Sequence, residues 1–182
     1  MLQRLRKAVT AGEPITIYGD YDADGIMATY ILYSGLNRLI PGRVNWFIND
    51  RFEDGYNITE ESMRKCLPRY PMTRVILTCD NGVSSHEAAE TARGLGIRVI
   101  VTDHHEVPEP LVAADVLIDP KQQGCTYPYS ELCGAGVAWK LICAMEEKRS
   151  LYMVSSAGKE QPAAKEVPYM APSAGRKLLE ED

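Results

Sequence analysis

The sequence predicts an α/β fold with a mostly parallel, five-stranded sheet. Short runs of β-branched and aliphatic residues recur along the chain, and each is closed by a polar residue or a glycine. These runs are apolar without strict alternation, which is typical of strands covered on both faces. Helical patterns lie between them, so strands and helices alternate. Right-handed connections between parallel strands then give a Rossmann-like three-layer domain.

The individual elements follow from local signals. The predicted strands are Ile15–Tyr18, Val44–Ile48, Arg74–Thr78, Arg98–Thr102 and Val116–Ile118. Helices are predicted over 26–40, 59–67, 84–95 and 134–147. The first helix stops before Pro41 and Gly42, residues that end helices. The second opens with acidic residues, which the helix dipole favours in the first turn.

Composition indicates an ordinary globular protein. The 182 residues include 45% hydrophobic and 25% charged side chains, with a net charge of −5, and this length suits one medium domain. We expect residues 1–149 to form that domain. From position 150 the chain carries scattered small residues and three prolines without a sustained period. Residues 150–182 are therefore predicted to form a divergent, poorly ordered tail.

The same composition argues against export and against membrane insertion. No apolar stretch approaches the length of a membrane span, and the amino terminus has no apolar signal core. The five cysteines form no C-x-x-C pair, which favours reduced thiols and a cytoplasmic location. The acidic excess argues against a protein that holds nucleic acid by charge alone. It is compatible with an enzyme that meets phosphate through metal ions.

Acidic residues follow the predicted strands at their carboxyl ends, the edge at which open α/β sheets bind ligands. Three of these strand ends carry more acidic or imidazole groups than turns and caps require. Their closely spaced carboxylates would repel one another without cations, and the added imidazoles suit divalent transition metals such as Mn²⁺. A pair of such ions is a common device for phosphoester hydrolysis. The residues concerned are Asp20, Asp22, Asp24, Asp80, Asp103, His104 and His105.

Other polar residues near these strand ends have simpler explanations. Asp50 and Asp119 follow the second and fifth strands, where an aspartate commonly caps a turn. His86 falls on the helix after Asp80 and is predicted to be a surface or capping residue. We therefore expect these three side chains to stabilise local structure.

Contacts to phosphate are predicted beside the proposed metal site. Arg51 and Lys121 follow strand ends two and five and are candidate phosphate ligands, although exposed basic side chains are commonly only solvated. Gly134 and Gly136 open the last predicted helix. Backbone N–H groups at a helix start can bind phosphate, and close helix packing explains the two glycines equally well.

Two competing motifs can be tested by spacing. The run Asp20-x-Asp22-x-Asp24 opens like an EF-hand calcium loop, but loop position twelve is Ile31 in place of the required glutamate. The segment from Asp22 to Gly25 also resembles the nucleophile motif of haloacid-dehalogenase-type phosphatases, with Asp22 as the nucleophile. That alternative stays open, although it leaves the Asp-His-His run unexplained.

Three motifs in order resemble those of the DHH phosphoesterase superfamily. They are Gly19–Gly25 (GDYDADG), Cys79–Gly82 (CDNG) and Thr102–His105 (TDHH). The flanking segments Asp50–Tyr56, Asp119–Pro120 and Glu131–Val137 are similar to the RecJ branch. RecJ proteins are bacterial exonucleases that degrade single-stranded DNA from its 5′ end. The resemblance covers about residues 4–147.

The resemblance implies a two-ion site that binds Mn²⁺, with Mg²⁺ as an alternative. Asp22 and Asp24 would each bind one ion, and Asp80 would bridge the two. Asp20 would be a further ligand or would support the ligands.

The resemblance also implies roles for the Asp-His-His run. Asp103 and His104 would complete or orient the metal site. His105 would face the scissile phosphate as a charge stabiliser or proton donor, so His105 and Asp80 are the implied catalytic residues. The implied substrate is single-stranded DNA or a short oligonucleotide.

The sequence departs from the family pattern in its last part. RecJ proteins carry a further motif with an aspartate ligand downstream of the Asp-His-His run, whereas positions 150–181 contain no aspartate, and Glu160 is the carboxylate nearest to the expected position. We therefore expect an isolated amino-terminal metal domain that binds Mn²⁺ and has weak or no nuclease activity. A non-catalytic remnant of the family stays open as an alternative.

Overall fold

The computed structural model describes residues 2–55 and 57–156. Its strands are β1 (Ile15–Gly19), β2 (Val44–Ile48), β3 (Val75–Cys79), β4 (Arg98–Thr102) and β5 (Val116–Ile118). Its helices are α1 (Leu2–Thr10), α2 (Ala23–Leu39), α3 (Glu60–Arg69), α4 (His86–Gly94) and α5 (Gly134–Ser156). The predicted tail lies outside the described residues from position 157 onward, so the division at 149/150 stays a prediction.

The five strands form one sheet in the order β2-β1-β3-β4-β5, and every pair in it is parallel. The predicted α/β fold is confirmed. Gly19 stands opposite Cys79 in the register of β1 and β3, so the next residue of each chain segment leaves the sheet at the same level. Thr102 and Ile118 are paired in the same way on β4 and β5. The register therefore brings the acidic strand ends to one edge.

Two apolar cores lie on opposite faces of the sheet. One contains buried residues of α1, α2 and α5, and the other contains buried residues of α3 and α4. The interior strand β1 alternates between them, because Ile17 belongs to the first core and Tyr18 to the second. All five residues of β1 are buried, as expected for a strand covered on both faces.

Helices α2 and α5 pack side by side and both begin at the carboxyl edge of the sheet. Gly35 of α2 makes this possible, since a Cβ there would lie 2.6 Å from Cδ1 of Ile142. Further along, Arg38 forms an ion pair of 2.7 Å with Glu146. Because the two helices run in the same direction, both positive dipole ends lie near the acidic strand ends.

Two helices differ from the prediction. Helix α1 was not predicted; it spans only 9 residues and buries Leu5 and Ala8, which is too short an apolar pattern to stand out. Helix α5 was predicted to end at Glu147 and continues to Ser156. None of the helices in the described part of the chain is long and apolar enough to cross a lipid bilayer.

Candidate metal centre

The turn after β1 places three aspartates around the start of α2. Asp20 is buried, and Asp22 caps the helix by accepting a hydrogen bond of 2.9 Å from the N–H of Gly25. A Cβ at position 25 would lie 2.6 Å from the carbonyl oxygen of Asp20. Gly25 is therefore required, because the backbone of Asp20 leaves no room for a side chain at position 25.

The turn after β3 holds Asp80 in an unusual conformation. Asp80 has φ of 60° and is the one non-glycine residue with positive φ among those described. Its N–H donates to the carbonyl of Thr102 (3.1 Å), which extends the pairing of β3 with β4 by one residue. The hydroxyl of Thr78 donates to the carbonyl of Asn81 (2.7 Å) and closes the turn. Such backbone strain concentrates at functional sites.

The turn after β4 is organised by Asp103, which is 1% exposed. Its Oδ2 accepts a hydrogen bond from the N–H of Val83 (3.1 Å). Its Oδ1 accepts from the N–H of His104 (2.8 Å) and lies 2.7 Å from Nδ1 of His105. Asp103 therefore fixes the loop that presents both histidines.

Two groups of three side chains bring their ligand atoms within 4.8 Å of one another. The groups are Asp20, Asp22 and Asp80, and Asp80, His104 and His105. Nε2 of His104 lies 2.9 Å from Oδ1 of Asp80 without forming a hydrogen bond. Two neighbouring ligands of one octahedral ion, each about 2.1 Å from it, are about 3 Å apart. The spacing is therefore that of two atoms that share a cation, and Asp80 belongs to both groups.

Electrostatics at the centre also fit a divalent cation. Burial, followed by the negative charges of Asp24 and Asp22, raises the pKa of Asp80 to about 8. Burial likewise raises the pKa of Asp20. In the described part of the chain, Oδ1 of Asp20 and Oδ1 of Asp80 are buried and accept no hydrogen bond. Buried carboxylates without partners are costly, so these residues fit the Mn²⁺ or Mg²⁺ that the sequence predicts.

Asp24 lies beside these groups and is held by α5. Burial alone would raise the pKa of Asp24, but hydrogen bonds from the N–H groups of Ala135 (2.8 Å) and Gly134 (2.7 Å) outweigh it and lower the pKa. Oδ2 of Asp24 is 3.6 Å from Nε2 of His104. Each oxygen keeps a second lone pair, so Asp24 can still bind a metal ion.

Some of the predicted ligands belong to these two groups, and others do not. Asp20, Asp22, Asp80 and His104 belong to the two groups, and His105 joins them although it was predicted as a proton donor. Asp24 and Asp103 belong to neither group within the described residues. For Asp103 the reason is that its oxygens already accept hydrogen bonds from the loop.

The two glycines predicted as phosphate contacts differ in their surroundings. The N–H of Gly134 donates to Asp24, and a Cβ at position 134 would collide with the carboxylate of Asp80. A Cβ at position 136 would lie 3.2 Å from Cδ2 of Leu132. Close packing therefore applies to Gly134, and a phosphate contact of either glycine stays a prediction.

The basic candidates lie at the margin of the centre. The guanidinium of Arg51 stands 5.7 Å from the ring centroid of Tyr21, which separates Asp20 from Asp22 along the chain. Lys121 forms an ion pair of 3.0 Å with Glu106. His86 is the first residue of α4 and belongs to neither ligand group.

Two buried polar residues beside the centre, Asp119 and Asn81, were not predicted as site residues. Asp119 is 3% exposed; its Oδ1 accepts from the N–H of Lys121 (2.7 Å), as a turn residue would, but its Oδ2 has no hydrogen-bond partner in the described chain. The side-chain amide of Asn81 is also buried without a partner there. Asp119 borders an apolar cleft of about 410 Å³ along α5. The sequence feature that could have identified both residues is their position just after a predicted strand.

A family model now decides the wider relationship. The model of the DHH family, N-terminal domain, matches residues 14–166. The chain belongs to the DHH family. The single-stranded-DNA-specific exonuclease RecJ of Bacillus subtilis (strain 168) is 42% identical over 142 residues, which are 78% of this chain and 18% of the relative. This chain therefore spans about a fifth of the length of that DHH protein.

Solved structures agree with the assignment. A crystal structure of exonuclease RecJ bound to manganese has a TM-score of 0.72 and 32% identity, covering 81% of this chain and 37% of that one. RecJ from Thermus thermophilus in complex with Mn²⁺ has a TM-score of 0.65 and 29% identity, covering 82% and 20%. The resemblance predicted from the motifs is confirmed, and the haloacid-dehalogenase alternative is unsupported.

Proposed function

We propose that this chain carries a two-ion phosphodiesterase centre of the RecJ type, acting on single-stranded DNA from its 5′ end. The observation that supports this most strongly is that Asp80 belongs to both groups of ligand side chains. Its carboxylate lies within ligand distance of Asp20 and Asp22 on one side and of His104 on the other. A shared carboxylate is the natural bridge between two closely spaced ions.

The ligand chemistry favours Mn²⁺, with Mg²⁺ as the second candidate. Carboxylate oxygens together with imidazole suit Mn²⁺, whereas Mg²⁺ prefers oxygen ligands and water. In this assignment Asp20 and Asp22 would hold one ion, His104 and Asp24 would hold the other, and Asp80 would contribute to both. Bound ions would offset charge on the phosphate and lower the pKa of an attacking water.

His105 is the residue that we assign to the substrate. Its Nδ1 is anchored on Asp103 at 2.7 Å, and 57% of its side chain is exposed. An anchored and accessible imidazole can offset charge on the phosphate or donate a proton to the leaving oxygen. Asp103 then acts through His105 by fixing its orientation.

The loop after β2 supplies contacts for the nucleic-acid strand. Arg51 lies beside the β1 turn and suits a phosphate, while the neighbouring Phe52 is 95% exposed and suits stacking on a base. We propose single-stranded DNA as the partner of this surface. None of the five cysteines, all of which lie in the described residues, forms a disulfide, which suits the reducing cytoplasm.

A second candidate is a metal-binding domain without turnover. The observation that favours it is the absence of aspartate from positions 150–181, where the family pattern expects a further ligand. We therefore expect this chain to bind Mn²⁺ and to hydrolyse DNA slowly or not at all by itself.

Two measurements on the full chain test the proposal. Isothermal titration with Mn²⁺ should show binding, and a nuclease assay on 5′-labelled single strands should report any turnover. Asp80→Asn should abolish both signals, whereas His86→Ala, on the helix that follows the same turn, should change neither. Absence of Mn²⁺ binding would contradict the proposal. Processive digestion by this chain alone would contradict the expected low activity.

A further inference from the structure

The carboxylate of Asp119 is a buried polar group that the proposed chemistry leaves unused. One oxygen accepts the N–H of Lys121, which a turn requires. The other, Oδ2, is buried and has no hydrogen-bond partner in the described chain. A turn needs only one acceptor, so the hydrogen bond from Lys121 accounts for one of the two carboxylate oxygens and leaves Oδ2 unexplained. The buried second oxygen calls for a donor.

Asp119 is a close neighbour of the Asp-His-His run. Thr102 and Ile118 are paired in the sheet, and the N–H of Asp103 donates to the carbonyl of Ile118 at 3.0 Å. Asp103 and Asp119 therefore leave adjacent strands at the same level. Burial raises the pKa of Asp119, and the charged groups that act on it include Asp103, Lys121 and His104. His104 thus lies within electrostatic reach of the unused oxygen.

The imidazole of His104 has a complementary need. Its Nε2 faces the proposed metal position, 2.9 Å from Oδ1 of Asp80 and 3.6 Å from Oδ2 of Asp24. Metal binding through Nε2 requires that the proton sit on Nδ1. Metal-binding histidines almost always donate that second N–H to a carboxylate, a carbonyl or water. Among the described residues, Nδ1 of His104 has no hydrogen-bond partner.

The adjacent histidine shows how this loop meets such a need. Nδ1 of His105 lies 2.7 Å from Oδ1 of Asp103, the aspartate that ends β4. Asp119 ends the next strand, β5, and His104 is the histidine without such a partner. Each histidine then has one strand-end aspartate.

We propose that Asp119 is a positioning residue for His104, whose Nδ1–H its Oδ2 accepts when a metal ion is bound. This hydrogen bond holds the imidazole in the tautomer whose Nε2 lone pair faces the ion. The proposal rests on the metal centre proposed above. Asp119 does not itself touch the ion or the substrate.

Three variants of the full chain separate positioning from a turn role. Asp119→Ser keeps a hydroxyl acceptor for the N–H of Lys121 but is too short to reach the imidazole. Asp119→Asn keeps the length and the acceptor oxygen for the N–H of Lys121, but it places an NH₂ donor where the second oxygen of Asp119 stands. Asp115→Ala removes a carboxylate just before β5, at its opposite end, and is the matched control. Thermal unfolding of each variant checks that the fold is kept.

We expect Asp119→Ser to weaken Mn²⁺ binding about 10–100-fold in isothermal titration, the range typical of residues that orient metal ligands. Asp119→Asn should weaken binding to a similar extent, because its amide NH₂ group would face the N–H of His104. Asp115→Ala should bind normally, because it keeps the carboxylate beside His104. Equal binding by Asp119→Ser and the wild type would overturn the positioning role and leave the metal centre intact. No Mn²⁺ binding by the wild type would overturn both.

A second readout does not depend on affinity. In the Mg²⁺-loaded wild type, ¹⁵N chemical shifts of the imidazoles, assigned with His104→Gln, should show His104 protonated at Nδ1. The signal should change toward a mixture of tautomers in Asp119→Ser. Protonation of His104 at Nε2 in the loaded wild type would overturn the proposal, even if Asp119→Ser failed to fold.

Discussion

The ends of β3 and β4 place two aspartates side by side with equal burial and opposite environments. Asp80 is 2% exposed and Asp103 is 1% exposed. Asp103 accepts hydrogen bonds from the backbone N–H groups of Val83, His104 and His105. Asp80 leaves Oδ1 without a hydrogen bond among the described residues, and its pKa is raised to about 8.

The different hydrogen bonding of these two buried aspartates shows that burial alone does not identify a metal ligand. A carboxylate saturated with N–H donors is stable as an anion and fixes a loop, whereas one that faces only other acids needs a cation or a proton. The backbone creates the difference. Asp80 adopts φ of 60°, while the chain after Asp103 turns its next N–H groups back onto the carboxylate. We therefore propose Asp80 as the metal ligand of the pair and Asp103 as the residue that fixes the histidine loop.

The largest expected effect comes from Asp80→Asn, which keeps shape and tolerates positive φ. Mn²⁺ affinity should fall by more than about 100-fold, beyond the range of residues that only orient ligands. The free energy of unfolding of the metal-free protein should stay constant or rise, because a buried group that faces like charges is neutralised. Isothermal titration and urea unfolding measure the two quantities. Unchanged Mn²⁺ affinity would show that Asp80 is not the shared ligand.

The converse is expected of Asp103→Ala. The N–H groups of Val83 and His104 would lose their acceptor, so the free energy of unfolding of the metal-free protein should fall by about 2–4 kcal/mol. Asp50→Ala is the control, because Asp50 also accepts two backbone N–H groups but is exposed, and it should cost about 1 kcal/mol or less. Urea unfolding distinguishes them. Equal losses would contradict the supporting role of Asp103.

A smaller effect is expected from the helix that faces Asp80. In Gly134→Ala the new methyl group would collide with the Asp80 carboxylate, so stability should fall by about 1–3 kcal/mol, with weaker Mn²⁺ binding. Gly136→Ala is the matched control in the same helix, since its methyl group meets only the flexible end of Leu132. Alanine should stabilise that position or leave it unchanged. Similar losses in both variants would show that Asp80 is not the cause.

Part of this arrangement could be predicted from the sequence. The five strands follow from apolar runs, and the parallel order follows from the alternation with helices, so the common edge of the acidic residues was predictable. Family resemblance also implies that Asp80 bridges two ions, which stays a prediction. The strand pattern by itself could not separate Asp80 from Asp103, because both are aspartates after a buried strand. Only the backbone conformation and the resulting hydrogen bonds distinguish them.

The surroundings of Asp119 and Gly134 could not be predicted for a similar reason, because they depend on contacts between distant parts of the chain. Asp119 was predicted to be a turn residue, which accounts for one oxygen, and the burial of the other depends on the pairing of β4 with β5. Gly134 was a candidate for phosphate binding because it opens a helix. Its contact with Asp80 joins residues far apart in sequence, and no local pattern contains such a contact.

Asp80 alone should also make the free energy of unfolding of the metal-free protein depend on pH. Its pKa is about 8 in the native state against 3.8 as the ordinary value. Between these values the native state holds a proton that the unfolded chain has released. The free energy of unfolding therefore falls as pH rises, by at most about 1.4 kcal/mol per pH unit. Urea unfolding from pH 5 to pH 8 should show this slope relative to Asp80→Asn, and parallel pH profiles of the two proteins would mean that Asp80 is already ionised without metal.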